Sequence, residues 1–170
     1  CTRNGFHAFD YSEFPSLIRG GFTTHELIFS DIPVATTKPT IDLLIALRQD
    51  NFDMYAHRLT ADSIVLYDDQ EVKVQGDFLA IPMPYRAIKL KHKAHQVMVN
   101  TVSVGATFAL FGWYFQMIDQ MIEEDFAKKG QGVIDFNKVL AKEGWDYIQQ
   151  LKIDNVQLKT RAEKLQAVLV

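Results

Sequence analysis

The segment Thr40–Leu47 reads TIDLLIAL, a nearly continuous apolar run with the length of one β-strand. Runs of this kind are typical of strands that are covered on both faces, as in parallel sheets. Two more follow, Ser63–Tyr67 (SIVLY) and Phe78–Met83 (FLAIPM). The segment Asn51–Leu59 lies between the first two and has helical spacing of its apolar residues. This alternation predicts an α/β fold with a mostly parallel sheet and flanking helices.

Two shorter strand candidates precede this region. They are Gly5–Tyr11, which mixes aromatic and apolar residues, and Thr24–Ser30. The intervening segment, Ser12–Gly21, contains a proline and a glycine pair and is predicted to be a loop.

Helical patterns replace strand patterns in the second half of the chain. Three helices are predicted, over Val97–Phe111, Tyr114–Lys129 and from Val133 to about Leu151. The uncharged stretch Val97–Ile118 is as long as a membrane span, but its polar residues and Gly112 favour a buried core helix that ends near the glycine. We predict one domain over residues 1–152, followed by a helical or extended C-terminal tail over residues 153–170.

Composition excludes several classes of protein. The chain has 170 residues, of which 48% are hydrophobic and 23% charged, so it is long enough for one globular domain and is not a disordered sequence. Its net charge of -3 gives no support to general nucleic-acid binding. The single cysteine, Cys1, cannot make an intrachain disulfide, a Cys-His zinc site or an iron–sulfur cluster, and it suits a reducing cytoplasm. No secretory signal is visible, and the start at Cys-Thr-Arg leads us to expect a fragment of a longer protein.

A basic run is the first candidate for binding chemistry. Residues 86–95 contain Arg86, Lys89, Lys91, His92, Lys93 and His95 without any acid. The run is suited to a phosphate-bearing ligand or an acidic partner, and the alternative is a surface helix or loop that only solvates its charges. His92 and His95 are weak candidates for a metal pair, because no carboxylate lies near them in sequence.

The second candidate is the loop segment Phe14–Gly21, which reads FPSLIRGG. Pro15 stiffens it, while Gly20 and Gly21 permit a positive φ angle and the close approach of a ligand or another chain. Arg19 offers a planar, permanently charged fork that suits a carboxylate or a phosphate. The alternative is a turn with a surface arginine. The P-loop, GxSxG and HExxH motifs are absent from the sequence.

The segment Phe9–Gly21 (FDYSEFPSLIRGG) resembles the loop of the gamma domain of 2-oxoacid:ferredoxin oxidoreductases, in which an aromatic–Pro–Ser–Leu–Ile–Arg–Gly–Gly run is typical. Further similarities follow in chain order and cover nearly the whole sequence. They are Asp42–Leu47 (DLLIAL), Ile81–Pro84 (IPMP), Asn100–Ala106 (NTVSVGA), Phe126–Gly130 (FAKKG), Asn137 and Gly144–Tyr147 (GWDY).

This resemblance implies a Rossmann-like scaffold and a non-catalytic role. The whole enzyme decarboxylates a 2-oxoacid oxidatively, transfers the acyl group to coenzyme A and passes electrons to ferredoxin. Thiamine diphosphate, magnesium and iron–sulfur clusters belong to companion domains or subunits, which would be the partners of this chain, with ferredoxin an indirect one. Neither nucleic acid nor a membrane is implied. The residues implied to meet a ligand or a neighbouring domain are Pro15, Ser16, Arg19, Gly20 and Gly21, with Glu13 a weaker candidate.

The sequence departs from the family at its start. Members normally open with a strand and a Gly-rich turn, roughly GxGGxG, which would precede Cys1 and are absent here. We therefore expect the sheet to lack its first strand and to leave a central edge unpaired, which is a liability for aggregation.

Two other functions stay open. The chain could be a stand-alone Rossmann-like module that binds a nucleotide or coenzyme A, although it has no glycine fingerprint. It could also be a pure assembly domain, for which its aromatic content of 12% is well suited. The substrate among pyruvate, 2-oxoglutarate, branched-chain 2-oxoacids and indolepyruvate is not specified by this sequence.

Overall fold

The computed structural model of the chain describes residues 7–13, 24–153 and 165–169. The chain divides into two compact units. The first contains residues 1–83 and 161–170, and the second contains residues 84–160.

In the described residues, the first unit is built on a six-stranded sheet. The strands are β1 His7–Glu13, β2 Thr24–Ser30, β3 Leu43–Ala46, β4 Ile64–Asp68, β5 Leu79–Met83 and β6 Leu165–Leu169. They lie in the order β1-β2-β6-β3-β4-β5. The pairs β6–β3, β3–β4 and β4–β5 are parallel, whereas β1–β2 and β2–β6 are antiparallel. The predicted α/β class with a mostly parallel sheet is therefore confirmed.

Helix α1, Gln49–Tyr55, follows β3 and continues as a 3₁₀ turn over Ala56–Arg58. It contributes Phe52 and Tyr55 to a core that also contains Ile41, Leu44, Ala46, Val65 and Val72. All four residues of β3 are buried, so this strand is covered on both faces, as its continuous apolar run predicts. The Ser63 hydroxyl donates to the carbonyl oxygen of Ile41 at 2.6 Å and links the loops that precede β3 and β4.

The expected unpaired central edge is not present. Strand β6 lies between β2 and β3 and pairs with both. Its segment, LQAVL, contains no proline, so every residue can give both its N–H and its C=O group to the neighbouring strands. The predicted tail, helical or extended, is thus extended over 165–169, and residues 154–164 lie outside the described part of the chain.

The second unit is helical, which confirms the predicted helical C-terminal part. Its helices are α2 Tyr85–His92, α3 Val99–Leu110, α4 Phe115–Phe126 and α5 Gln131–Gln150. Gly112, with a φ angle of 66°, follows the end of α3. Gly130, with a φ angle of 93°, separates the turn after α4 from α5. Within the described residues no helix combines the length and the apolar character that a membrane span requires.

Helices α3 and α5 approach each other closely through glycines. The backbone of Gly105 on α3 meets the Ala141 carbonyl on α5, and Gly144 on α5 meets the Val102 carbonyl on α3. A Cβ atom at either glycine would overlap the facing carbonyl oxygen. The absence of these two side chains therefore sets the distance between the helices.

Candidate functional site at the end of the β1–β2 pair

Most of the predicted site residues cannot be placed. Pro15, Ser16, Arg19, Gly20 and Gly21 lie outside the described residues. Glu13, the weaker candidate, is the exposed last residue of β1. The described residues next to this segment are Glu13, at the end of β1, and Thr24, at the start of β2.

Both flanks lie at one edge of the sheet. Glu13 is paired directly with Thr24, so the connection over residues 14–23 begins and ends at neighbouring positions. Because β1 and β6 are both antiparallel to β2, and β6 is parallel to β3, β1 runs in the same direction as β3, β4 and β5. Its carboxyl end therefore lies at the edge where those strands also end. Ligands of open α/β sheets bind at this edge.

The Thr24 flank is fixed to α1 by a buried hydrogen bond. The Tyr55 hydroxyl donates to Oγ1 of Thr24 at 3.0 Å, and both residues are less than 5% exposed. Burial raises the pKa of the Tyr55 hydroxyl above its ordinary value, so the group keeps the proton that it donates.

A buried ion pair lies two residues further along β2, on the same face as Thr24. The Arg58 guanidinium donates to the two carboxylate oxygens of Glu26 at 2.6 and 3.0 Å. It also donates to the carbonyl oxygens of Lys38 at 2.7 Å and Pro39 at 3.2 Å. The side chains are only 6% (Glu26) and 16% (Arg58) exposed. Such a pair offsets its desolvation cost only with good geometry and further hydrogen bonds, and both are present.

The sequence contains one signal for this arrangement. Thr24, Glu26 and Ile28 alternate along β2, so a carboxylate is placed on the same face as a core residue. A buried carboxylate requires a partner. Sequence reasoning did not find Arg58, because it lies 32 positions away and only the fold brings it to β2.

Two more polar side chains are buried near the carboxyl ends of the parallel strands. Asp68, the last residue of β4, is 6% exposed and accepts a hydrogen bond from the backbone N–H of Gln70 at 3.0 Å. Burial raises the pKa of its carboxyl group. Asn51, near the start of α1, is 1% exposed, and its Nδ2 has no hydrogen-bond partner among the described residues. This edge of the sheet is therefore polar as well as buried.

The sequence profile of the pyruvate ferredoxin/flavodoxin oxidoreductase family matches residues 1–147, well over half of the 170 residues. The chain belongs to this family. The resemblance to 2-oxoacid:ferredoxin oxidoreductases is thereby confirmed. None of the curated proteins matches the sequence.

Two solved structures share the fold of this family member. One is a 2-oxoglutarate:ferredoxin oxidoreductase from Magnetococcus marinus, solved with 2-oxoglutarate, coenzyme A and succinyl-CoA bound. It matches with a TM-score of 0.78 and 21% identity over 88% of this chain, but over only 27% of its own chain. The other is the gamma subunit of a keto/oxoacid ferredoxin oxidoreductase from Geobacter sulfurreducens PCA. It matches with a TM-score of 0.69 and 19% identity over 88% of this chain and 84% of its own.

The basic run of this oxidoreductase-family chain forms helix α2 and the residues after it. Glu143 of α5 accepts hydrogen bonds from Lys91 at 2.7 Å and lies 2.9 Å from Nε2 of His92. His92 is thus engaged by a carboxylate that is remote in sequence. The described part of the chain contains no group of three or more side chains that could hold a metal ion.

Replacing Glu143 with glutamine tests this carboxylate. The hydrogen bond from Lys91, supported by His92, holds the pKa of Glu143 below its ordinary value. A carboxyl group whose pKa is lower in the folded than in the unfolded state stabilises the fold at pH values above the unfolded-state pKa. This contribution is lost as the pH falls through the folded-state pKa. We expect Glu143→Gln to lower the free energy of unfolding at about pH 7, because the charged partner of Lys91 and His92 is lost. The decrease should be only about 1 kcal/mol, since Lys91 is largely exposed and water screens the ion pair. The difference should shrink below about pH 4.5, as urea titrations across this range would show.

Asp125→Asn is the matched control, because Asp125 is an exposed carboxylate on α4 with no ion pair to a described residue. Its effect at neutral pH should be clearly smaller. A Glu143→Gln deficit that stays constant into the acidic range would contradict the assigned role of the carboxylate.

Proposed function

We propose that this chain is a non-catalytic, gamma-type subunit or domain of a thiamine-diphosphate-dependent 2-oxoacid:ferredoxin oxidoreductase. The whole enzyme would convert a 2-oxoacid and coenzyme A into an acyl-CoA, with electrons passed to ferredoxin. The family match over residues 1–147 is the observation that carries the proposal. The similarity in fold to a gamma subunit over 84% of that subunit supports the assignment. We assign the gamma-type domain to residues 1–152, with 153–170 as a C-terminal segment that adds strand β6.

The redox cofactors would be held by companion subunits. A cluster needs several cysteine thiolates, and this chain has one cysteine. The magnesium ion that holds the diphosphate of thiamine needs oxygen ligands around one position, and the described residues contain no metal-binding group of three. We therefore propose thiamine-binding and iron–sulfur subunits as the partners. The single cysteine suits a reducing compartment, and we place the enzyme in the cytoplasm.

We propose the segment Pro15, Ser16, Arg19, Gly20 and Gly21 as the part of the chain that meets coenzyme A or a neighbouring domain. Its flanks support this, because Glu13 and Thr24 lie at the carboxyl edge of the parallel strands. The hydrogen bond from Tyr55 fixes the Thr24 flank, so the segment is attached to a rigid base. The guanidinium of Arg19 suits the phosphates of coenzyme A or a carboxylate.

The assembled enzyme tests the proposal. The tagged chain is purified with its companion subunits, and CoA-dependent oxidation of 2-oxoacids is measured by the reduction of ferredoxin. We expect thiamine diphosphate, an iron–sulfur absorption spectrum and activity in the complex. A chain that purifies without such partners from cells that express them would contradict the assignment.

Arg19→Ala tests the proposed segment. We expect acyl-CoA formation or assembly to fall about tenfold, the equivalent of one charged hydrogen bond, with the chain still folded. Lys128→Ala is the matched control, because Lys128 is an exposed cation of the helical unit with no ion pair among the described residues. Normal activity and assembly of Arg19→Ala would remove Arg19 from the site.

Calorimetry separates this proposal from a stand-alone module. The isolated chain is titrated with coenzyme A and with nucleotides, and the titration is repeated after the companion subunits are added. We expect binding only in the second experiment. Tight binding by the isolated chain would favour the module instead.

A further inference from the structure

The outward side of α2 combines an exposed leucine with cations that have no counter-charge. Arg86 and Leu90 are four residues apart and lie on one side of α2, while Tyr85 and Ile88 are buried on the other. Lys93 follows directly as the residue that ends the helix. Leu90 is 69% exposed. We call Arg86, Leu90 and Lys93 the α2 face. A single exposed leucine is ordinary, so the argument depends on the charges around it.

Some of the basic residues on and directly after α2 have an acidic partner, and others do not. Lys91 and His92 face Glu143, and Lys89 donates to the neutral side chain of Gln96 at 2.6 Å. Arg86 and Lys93 form no ion pair with any residue between 24 and 153. The α2 face is therefore positive, although the chain as a whole carries a net charge of -3.

The backbone conformation of Lys93 ends helix α2. Lys93 ends α2 with a φ angle of 51°, in the left-handed region that favours glycine. The N–H groups of Lys93 and Ala94 close the helix end on the carbonyl oxygens of Leu90 and Lys89. A lysine therefore occupies a helix end where glycine would fit without strain, as Lys152 does after α5 with a φ angle of 48°. The conformation fixes where α2 ends and where the Lys93 backbone lies.

We propose that the α2 face docks an acidic protein surface, in which carboxylates surround an apolar contact for Leu90. The inference rests on the proposed function, since the partner would be a companion subunit of the same enzyme. A single phosphate group would leave Leu90 unused, because Arg86 and Lys93 are about 10 Å apart along the helix. The two cations of the α2 face, on a chain of negative net charge, are too few for nucleic acid. An apolar centre with charges at its rim is the usual composition of a protein interface.

Charge reversal tests the proposal in the assembled enzyme. The full chain with Arg86→Glu and Lys93→Glu is compared with the wild type for its affinity for the companion subunits, by surface plasmon resonance. We expect affinity to fall at least about tenfold at about 50 mM salt, and the difference to narrow at about 500 mM as the charges are screened. The matched control is Lys128→Glu with Lys129→Glu, two exposed lysines after α4, which should bind within about twofold of the wild type.

Lys93→Gly distinguishes docking from a structural role. Glycine relieves the strained φ angle, so we expect the urea midpoint to stay the same or to rise, while affinity falls about threefold or more. A purely structural residue would not show opposite changes in the two measurements. Leu90→Ser should weaken binding, and Leu151→Ser, at a leucine that is 43% exposed, should not.

The outcomes separate the two proposals. Wild-type chain that binds the companion subunits, together with α2-face variants that bind equally well, would overturn this inference and leave the proposed function intact. Wild-type chain that binds no companion subunit would overturn the proposed function, and this inference with it. Binding of inorganic phosphate and of a labelled DNA duplex is measured for the wild type and the α2-face variants. If the variants lose binding to one of these ligands while their affinity for the companion subunits is unchanged, the α2 face is reassigned to that ligand.

Discussion

Gly105→Ala or Gly144→Ala is expected to destabilise the helical unit by about 3 kcal/mol or more, which is beyond the usual range for a single methyl group. An added Cβ at Gly105 would overlap the carbonyl oxygen of Ala141, and one at Gly144 would overlap the carbonyl oxygen of Val102. Both obstacles are backbone atoms of packed helices, so no side chain can rotate away. The helices would have to separate, and the contacts between α3 and α5 would be lost along their length.

Gly132→Ala is the matched control, because it lies on α5 and a Cβ there meets no atom within 4 Å. Alanine at this helical position should be neutral or stabilise by about 0.5–1 kcal/mol. Trp113 and Trp145 both lie in residues 84–160, so tryptophan fluorescence during urea unfolding reports on this unit directly. Equal unfolding midpoints for Gly105→Ala and Gly132→Ala would show that α3 and α5 are not held at this distance.

The parallel part of the sheet could be predicted because its signal is local. TIDLLIAL and SIVLY are mostly apolar, and β3 and β4 are buried in accordance with that pattern. The position of β6 could not be predicted. LQAVL is as compatible with a helix as with a strand, and its place between β2 and β3 is decided by backbone pairing with residues more than a hundred positions away.

The candidate site shows the same limit. The segment Phe14–Gly21 could be selected from its proline, arginine and glycines, and the family match supports the resemblance that singled it out. The contacts that hold β2 next to this segment could not be predicted, because each of them joins residues that are far apart in the sequence. Thr24 and Tyr55 are 31 positions apart, and Glu26 and Arg58 are 32 apart. Charge and polarity in the sequence indicate that a buried carboxylate needs a partner, but only the path of the chain determines which cation supplies it.

Arg58→Met is expected to destabilise the sheet unit by about 3 kcal/mol, because it removes both hydrogen bonds of the guanidinium to a Glu26 carboxylate that is only 6% exposed. The loss should be largest around β2, since Arg58 also holds the carbonyl oxygens of Lys38 and Pro39 beside it. Both tryptophans lie in the other unit, so hydrogen exchange of peptides from β2 and β3 is the appropriate measurement. Arg48→Met is the control, because it removes an exposed arginine from the same unit. It should change the free energy of opening, measured from hydrogen exchange, by less than about 0.5 kcal/mol.

The double variant Glu26→Leu with Arg58→Met distinguishes two quantities. One is the net contribution of the ion pair to the free energy of unfolding, and the other is the cost of removing only one of its two charges. Two apolar side chains of similar volume leave no uncompensated charge, so we expect the double variant to be more stable than Arg58→Met alone. The coupling between the two sites should then exceed about 1 kcal/mol. If the changes in the free energy of unfolding are additive, Glu26 reaches water once Arg58 is removed. The position of Thr24 would then depend on its hydrogen bond with Tyr55 and not on the ion pair. Coupled effects would show that the charges of Glu26 and Arg58 help to hold β2 against the 3₁₀ turn that follows α1, and with it Thr24, at which the segment over residues 14–23 ends.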